Sequence, residues 1–220
     1  MIAYIKDFLD KMIYRFKEAP KGLDFARNRY PYRDEDDNVW YERTHPRHIR
    51  EIFSYFDNRD ISIIDLGCGK GFALYRLVEM GFARADGVEY DKNISAIARQ
   101  NLKILKLEDK AAVFNMDARD FTDFDRYGVA YMFHPFRTTV MRKVIANLEK
   151  SLERAPRRFT VVYFNPVEHR LWSASPFFTR REKRTMFYYN NELDVYYYEH
   201  DPNWQRPSFS EVLNRNINGR

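Results

Sequence analysis

Cysteine is almost missing from the chain. Cys68 is the one thiol in 220 residues, so no internal disulfide and no thiolate zinc site can be built, and a reducing cytoplasm is the expected setting. Glycine and proline are sparse, at 8 and 9 residues, and hydrophobic residues make up 45%, which excludes a collagenous, low-complexity or disordered chain. Long apolar runs are absent. The longest hold five or six residues, as in Gly128-Val-Ala-Tyr-Met-Phe133, too few to cross a bilayer. The start, Met1-Ile-Ala-Tyr-Ile-Lys-Asp7, has no basic stretch followed by a long apolar one, so no secretory signal is expected. Charge of one sign is also lacking: 37 Lys+Arg against 32 Asp+Glu leaves +5, which permits an acidic or nucleic-acid partner without arguing for one. No repeat or Gly/Ser linker divides the chain, so one core with a terminal extension is expected. Aromatic residues, in contrast, are abundant: 16 Tyr and 18 Phe imply a substantial core and some half-exposed rings.

Residues 1–18 carry Ile5, Phe8, Leu9, Met12, Ile13 and Phe16 in a helical stripe. Packing on the domain is the expected fate, because Asp7, Asp10 and Glu18 dilute a basic face that a membrane-surface helix would need. The pattern lapses from Gly22 to Tyr41, and residues 1–44 are read as a lid segment rather than a membrane anchor. Thr44 is then expected to cap a helix with Ile49, Ile52, Phe53 and Phe56 on one face. From Ile61 the period alternates: strands over 61–66, 83–89, 111–115, 128–133 and 159–164 are separated by amphipathic helices. That order predicts a mostly parallel sheet with helices on both faces. Thr185–Tyr189 and Leu193–Glu199 flank Asn190-Asn191 and predict a closing antiparallel hairpin. The main domain is thus 45–200, and 201–220 reads as a polar tail.

The informative segment is Asp65-Leu-Gly67-Cys-Gly69-Lys-Gly71-Phe72, a strand end entering a helix. Its glycines permit positive φ and close approach of a ligand, and its N–H groups favour an anion. The dinucleotide fingerprint requires glycine where Phe72 stands, and a phosphate loop requires Ser or Thr where Gly71 stands, so both matches fail. Asp65 beside the loop suits a ligand with ammonium or sulfonium character. Glu89 ends the second strand, where a carboxylate can accept from two ribose hydroxyls, and Asp117 follows the third, where it can accept from an adenine amine. Singly, such acids are solvated loop residues; three at successive strand ends point to a pocket.

These residues resemble the class I S-adenosylmethionine-dependent methyltransferases. Asp65–Gly71 looks like that class's first motif, Gly87-Val-Glu-Tyr90 its second and Met116-Asp-Ala118 its adenine-side motif, with the likeness running over about 61–200. The resemblance implies a Rossmann-like seven-stranded sheet, S-adenosylmethionine as cofactor, Gly67, Gly69 and Gly71 beside its methionine part, Glu89 on the ribose, and Asp117 with Ala118 on the adenine. It further implies that Tyr90 packs on the base and that Tyr41 and Thr44 reach the cofactor from the upstream segment. Within the class the chain looks closest to small bacterial members that resemble non-SET lysine methyltransferases, which makes nitrogen on a protein or small amine the expected acceptor and a nucleic acid or an oxygen the alternatives.

On the acceptor side, amine-directed members carry Asn or Asp before Pro and an aromatic residue; here the fourth strand ends in His134-Pro135-Phe136. A neutral imidazole could accept a substrate proton, or His134 could simply hydrogen-bond beside the cofactor. Asn165-Pro166 closes the fifth strand, facing substrate or beginning a turn. Tyr196-Tyr-Tyr198 reads as two-sided packing, Arg180-Arg-Glu-Lys-Arg184 as a solvated turn, Cys68 as a packing residue, and the remaining histidines as too scattered for a metal site.

Overall fold

Strands rich in Val, Ile, Phe and Tyr, each followed by a helix with one apolar face, bury both faces of a parallel sheet. A computed structural model describes residues 12, 14–26, 42–178, 180–188 and 191–203. The strands are β1 (Ser62–Leu66), β2 (Arg84–Glu89), β3 (Val113–Asn115), β4 (Val129–Phe133), β5 (Phe159–Phe164), β6 (Arg180–Tyr188) and β7 (Asn191–His200). They form a single sheet in the order β3-β2-β1-β4-β5-β7-β6. β7 runs antiparallel to β5 and to β6, and every other pairing is parallel. Chain direction across the sheet reverses between β1 and β4, and a crevice opens at that switch point outside the strands' carboxyl ends.

Helices α1 (Pro46–Phe53), α2 (Phe72–Glu79), α3 (Lys92–Ile104), α4 (Thr138–Arg154) and α5 (His169–Ala174) cover the sheet. The strand period of two divides the core into two layers. Along β5, Val162 and Phe164 join Phe53, Leu74 and Phe82 on one side, while Val161 and Tyr163 join Val140, Leu148 and Trp172 on the other. Tyr197 and Tyr198 split in the same way, the two-sided packing expected of that strand.

Several local expectations are corrected. Thr44 does not cap α1. Pro46 lacks an N–H and is best placed at the first helical position, which moves the cap to His45, whose Nδ1 accepts from the Arg47 N–H at 3.2 Å. Arg180–Arg184 is not a turn but the first half of β6, an edge strand whose charges are paired: Lys183 with Asp194 at 2.9 Å and Arg184 with Glu182 at 2.6 Å. The hairpin pairs Tyr188 with Asn191, so Asn191, expected in the turn, belongs to β7. Helix α5 has six residues, too few for a period to show in sequence.

Most of the stripe over 1–18, and the tail from 204 to 220, lie outside the described residues. Tyr14–Glu18 forms one π-helical turn and Ala19–Lys21 a 3-10 turn. Beyond them Leu23 and Phe25 are buried, Phe25 lying edge-on to Phe72 and stacked on Tyr75. Among the described residues no helix is long and apolar enough to cross a membrane, and no three His, Cys, Asp or Glu side chains are grouped to hold a metal.

Candidate active site

The glycine loop joins β1 to α2. Gly67 has φ +83°, and a Cβ there would sit 2.4 Å from Pro135 Cβ, so the loop presses on the segment that follows β4. The loop amides are largely satisfied within the protein. Gly67 and Cys68 N–H donate to Val88 O at 2.9 and 3.0 Å, Gly71 N–H to Cys68 O at 3.0 Å, and Gly69 N–H to Glu89 Oε2 at 2.9 Å. The sequence suggested a cradle of amides for an anion. What remains for one is the first turn of α2, which no side chain caps.

The acids dominate the cavity instead. Glu89 is buried at the end of β2, and its Oε1 accepts from the Asp91 N–H at 2.9 Å. Burial outweighs both amide bonds and pushes the carboxyl up to about 7. Asp65 is 3% exposed, and among the described residues no hydrogen bond or ion pair reaches its carboxylate. Burial first, then the charge of Glu89, raises it well above the usual carboxylate range. The Cys68 thiol is raised by burial and by these same acids; it packs against Gly87, where a Cβ would meet its Sγ at 2.5 Å, and is not a nucleophile.

Thr44 enters the cavity from the upstream segment, its Oγ1 2.8 Å from the hydroxyl of Tyr131 at the pocket floor. Tyr131 went unnoticed in sequence because it sits inside an apolar run; the signal was a hydroxyl in the middle of a buried strand. Ile94, Met116, Ala118 and Phe136 add apolar lining, with the half-exposed Tyr90. Asp117 is not brought into this cavity. Its carboxylate caps the short turn Ala118–Asp120 and pairs with Arg119 at 2.7 Å, and Arg119 holds it below the usual carboxylate range against the opposing effect of burial. It lines an adjoining groove with Arg142 and Lys143. Tyr41 lies outside the described residues.

Pro135 and Phe136 line the cavity; His134 and Asn165 lie beside it, at the ends of β4 and β5. His134 Nε2 is buried without a hydrogen-bond partner, and burial holds the imidazole below its ordinary pKa, Glu168 opposing and Arg137 reinforcing that shift.

Residues 63–155, which carry the glycine loop, both acids and His134-Pro-Phe136, match a family model described as a methyltransferase domain. Residues 63–155 therefore carry a methyltransferase domain, and S-adenosylmethionine is the cofactor it implies. Solved structures share the fold with this methyltransferase. An RNA methyltransferase from Salinibacter ruber, in complex with S-adenosyl-L-homocysteine, is 18% identical with TM-score 0.54, covering 76% of this chain and 98% of that one. A putative RNA methyltransferase from Pyrococcus horikoshii is 18% identical with TM-score 0.56, covering 83% and 95%. A putative methyltransferase from Escherichia coli is 20% identical with TM-score 0.56, covering 70% and 85%. No curated protein matches the chain in sequence.

The residues present fit the cofactor. A buried, unpartnered Asp65 calls for a cation, which the ammonium and sulfonium groups supply. Glu89 keeps lone pairs beyond the amides it accepts, so it can take ribose hydroxyls. Met116, Ala118 and Phe136 give the cavity an apolar lining suited to a base. A phosphate-bearing ligand fits poorly, because acids rather than free amides face the space.

Proposed function

We propose that this methyltransferase transfers the methyl group to a nitrogen of a small amine or a protein side chain, with His134 as the proton acceptor. The cofactor, when bound, supplies a methyl carbon activated by a positively charged sulfur. An amine is protonated near neutral pH and has no lone pair to attack with until it gives up a proton. The observation that supports this reading is the half-buried His134 imidazole at the end of β4, whose Nε2 is shielded from solvent without a hydrogen-bond partner and whose pKa burial lowers, favouring the neutral form. Held beside Asp65 and Glu89, the cofactor would supply its methyl carbon to the nitrogen lone pair that His134 frees, the S–C electron pair staying with sulfur. Alignment of those three atoms dominates such a step, so the rigid loops around Gly67 and Pro135 contribute by positioning.

Residues 1–44 are proposed to act as a lid: within its described residues, 18–26 and 42–44 pack beside the glycine loop and deliver Thr44 to the cavity. A cytoplasmic setting, consistent with the lone buried thiol, completes the reading.

A nucleic-acid acceptor is the second reading, suggested by the fold neighbours named as RNA methyltransferases and by the surplus of +5. Against it, the basic side chains of β6 are engaged: Arg181 donates to Ser173 Oγ at 2.8 Å, and Lys183 and Arg184 are ion-paired. The test is incubation with methyl-labelled cofactor and fractionated lysate. Label should enter amines or protein. Label in RNA alone overturns the amine assignment, label stable only as an ester or ether points to an oxygen acceptor using the same base, and no transfer leaves a binding module. With chemistry limiting, His134→Gln should lower kcat and remove the acid limb of the pH profile. In the parent protein that limb should fall below the ordinary imidazole range, since the base must be neutral and its pKa is depressed.

A further inference from the structure

Strands β4 and β5 run parallel with Phe133 opposite Phe164, so the next residues, His134 and Asn165, leave the sheet at one level. Both adopt left-handed backbone, φ +37° and +49°, although neither is glycine. Each also precedes a proline, Pro135 and Pro166, a position normally driven to extended backbone. Two such unfavourable turns side by side must be held by the surrounding structure, and backbone held this way clusters at functional sites. Their backbone N–H groups are accounted for: His134 donates to Phe164 O at 3.2 Å and Asn165 to Asp194 O at 2.8 Å. Their side chains are not. His134 Nε2 is buried and unpartnered, and the Asn165 carboxamide makes no hydrogen bond among the described residues.

Glu168 completes the group. Its N–H donates to Tyr163 Oη at 3.2 Å, and its Oε1 accepts from Thr138 Oγ1 at 3.0 Å, which ties the segment after β5 to the first turn of α4. Oε2 takes no hydrogen bond among the described residues, and the carboxylate lies close enough to His134 for its charge to act on the ring; the opposing cation there is Arg137.

We propose that Asn165 and Glu168 form, with His134, one acceptor subsite for a primary ammonium group. Glu168 supplies the counter-charge, the Asn165 carboxamide oxygen accepts one N–H, and His134 takes the proton that frees the lone pair. This rests on the amine reading above and narrows it: the acceptor arrives as a cation, and a neutral alcohol of the same shape is rejected because it leaves the Glu168 carboxylate without its partner.

The full chain is titrated with n-butylammonium chloride and, separately, with n-butanol, following the His134 ring signals by NMR, assigned with His134→Gln. The ammonium should shift them saturably and the alcohol should not. Glu168→Gln and Asn165→Ala should each weaken ammonium binding on the order of tenfold, the loss expected for one hydrogen bond to a charged group. Affinity for S-adenosylhomocysteine, read by calorimetry, should stay within about twofold, since neither residue is placed on the cofactor. Asn165→Gly, which relieves the backbone but also removes the carboxamide, should behave like Asn165→Ala. Equal response to both probes, no response to either, or unchanged ammonium affinity in the variants overturns the subsite. Ammonium binding without labelled amine in the lysate assay overturns the methyl-acceptor reading alone. Labelled amine with unchanged KM in both variants overturns the subsite alone.

Discussion

Glu89→Gln separates the two roles of the β2 carboxylate. Glu89 has an ordinary value of 4.5 and is pushed to about 7 in the folded chain, because the loss of water outweighs the amides of Gly69 and Asp91. The native state therefore holds a proton that the unfolded state has released between those two values. The associated stability is complete below pH 4.5 and is lost as pH rises through 7. A rise from 4.5 to about 7, at about 1.4 kcal/mol per pH unit, is about 3 kcal/mol. Glutamine cannot ionise, so the variant escapes that loss. It bears a different one, independent of pH: its amide nitrogen faces one of the two N–H donors, at a cost of about 1–3 kcal/mol. Removing the Glu89 charge also eases ionisation of Asp65, which adds in the same direction. Urea unfolding of both proteins at pH 5, 6, 7 and 8 tests this, because groups common to the two cancel in the difference. Between pH 5 and 8 the variant should gain on the parent by about 2.5 kcal/mol, crossing from less stable to equal or more stable. Meanwhile affinity for S-adenosylhomocysteine should fall by about 1.5–3 kcal/mol through loss of charge-assisted bonds. Parallel stability curves, flat to within about 1 kcal/mol, would refute the claim that Glu89 is held at a desolvation cost.

Two further outcomes follow from the same geometry. Gly67→Ala should destabilise the fold by about 2–5 kcal/mol, since left-handed backbone costs a side chain about 1–2 and overpacking against the rigid Pro135 ring about 1–3; a calorimetric Tm within two degrees of the parent would contradict it. Asn101→Ala should loosen the upstream segment, because the Asn101 carboxamide accepts from Asp24 N–H at 2.9 Å and donates to Asp24 O at 2.8 Å and Lys70 O at 3.0 Å. Limited proteolysis should then cut between residues 18 and 44 and cofactor affinity should drop, whereas faster cleavage with unchanged affinity would remove the lid role.

Much of the fold was legible because its signals are local. Five parallel strands and the helices between them alternate between periods of two and 3.6, and their residues bury on both faces, so a continuous apolar run such as Phe159–Phe164 leaves little choice. What escaped depends on neighbours distant in sequence. Arg180–Arg184 reads as solvated charge until Asp194 and Glu182 stand beside it. Thr44 reads from its neighbours as a helix cap, and only the family resemblance set it at the cofactor; its hydroxyl in fact meets Tyr131, 87 residues on. In the site, Asp65, Gly67 and Glu89 were marked by their places at strand ends, and Ala118 by the family resemblance alone. Asp117 carries the same mark, but a basic neighbour two residues along satisfies it locally at Arg119. Glu168 left no mark, because its position beside His134 arises from the parallel pairing of β4 with β5.

The pocket's charge is set as much by cations turned away as by acids turned in. Lys70 lies within the glycine loop, yet its side chain is 3% exposed and its Nζ pairs with Asp24 Oδ1 at 2.8 Å, under the upstream segment. Arg43 borders the cavity, but its guanidinium pairs with Glu18 at 2.5 Å and lies over the Phe72 ring. Arg99 donates twice to Val113 O. None of these pairs with Asp65 or Glu89, although a single lysine swung inward would relieve both carboxylates. A phosphate loop turns its lysine toward the ligand; this loop turns it toward Asp24 and leaves the acids unneutralised. A cavity built this way favours a ligand that brings its own positive charge, so the same arrangement that raises both carboxyls discriminates a sulfonium cofactor from the nucleotides that share its adenosine.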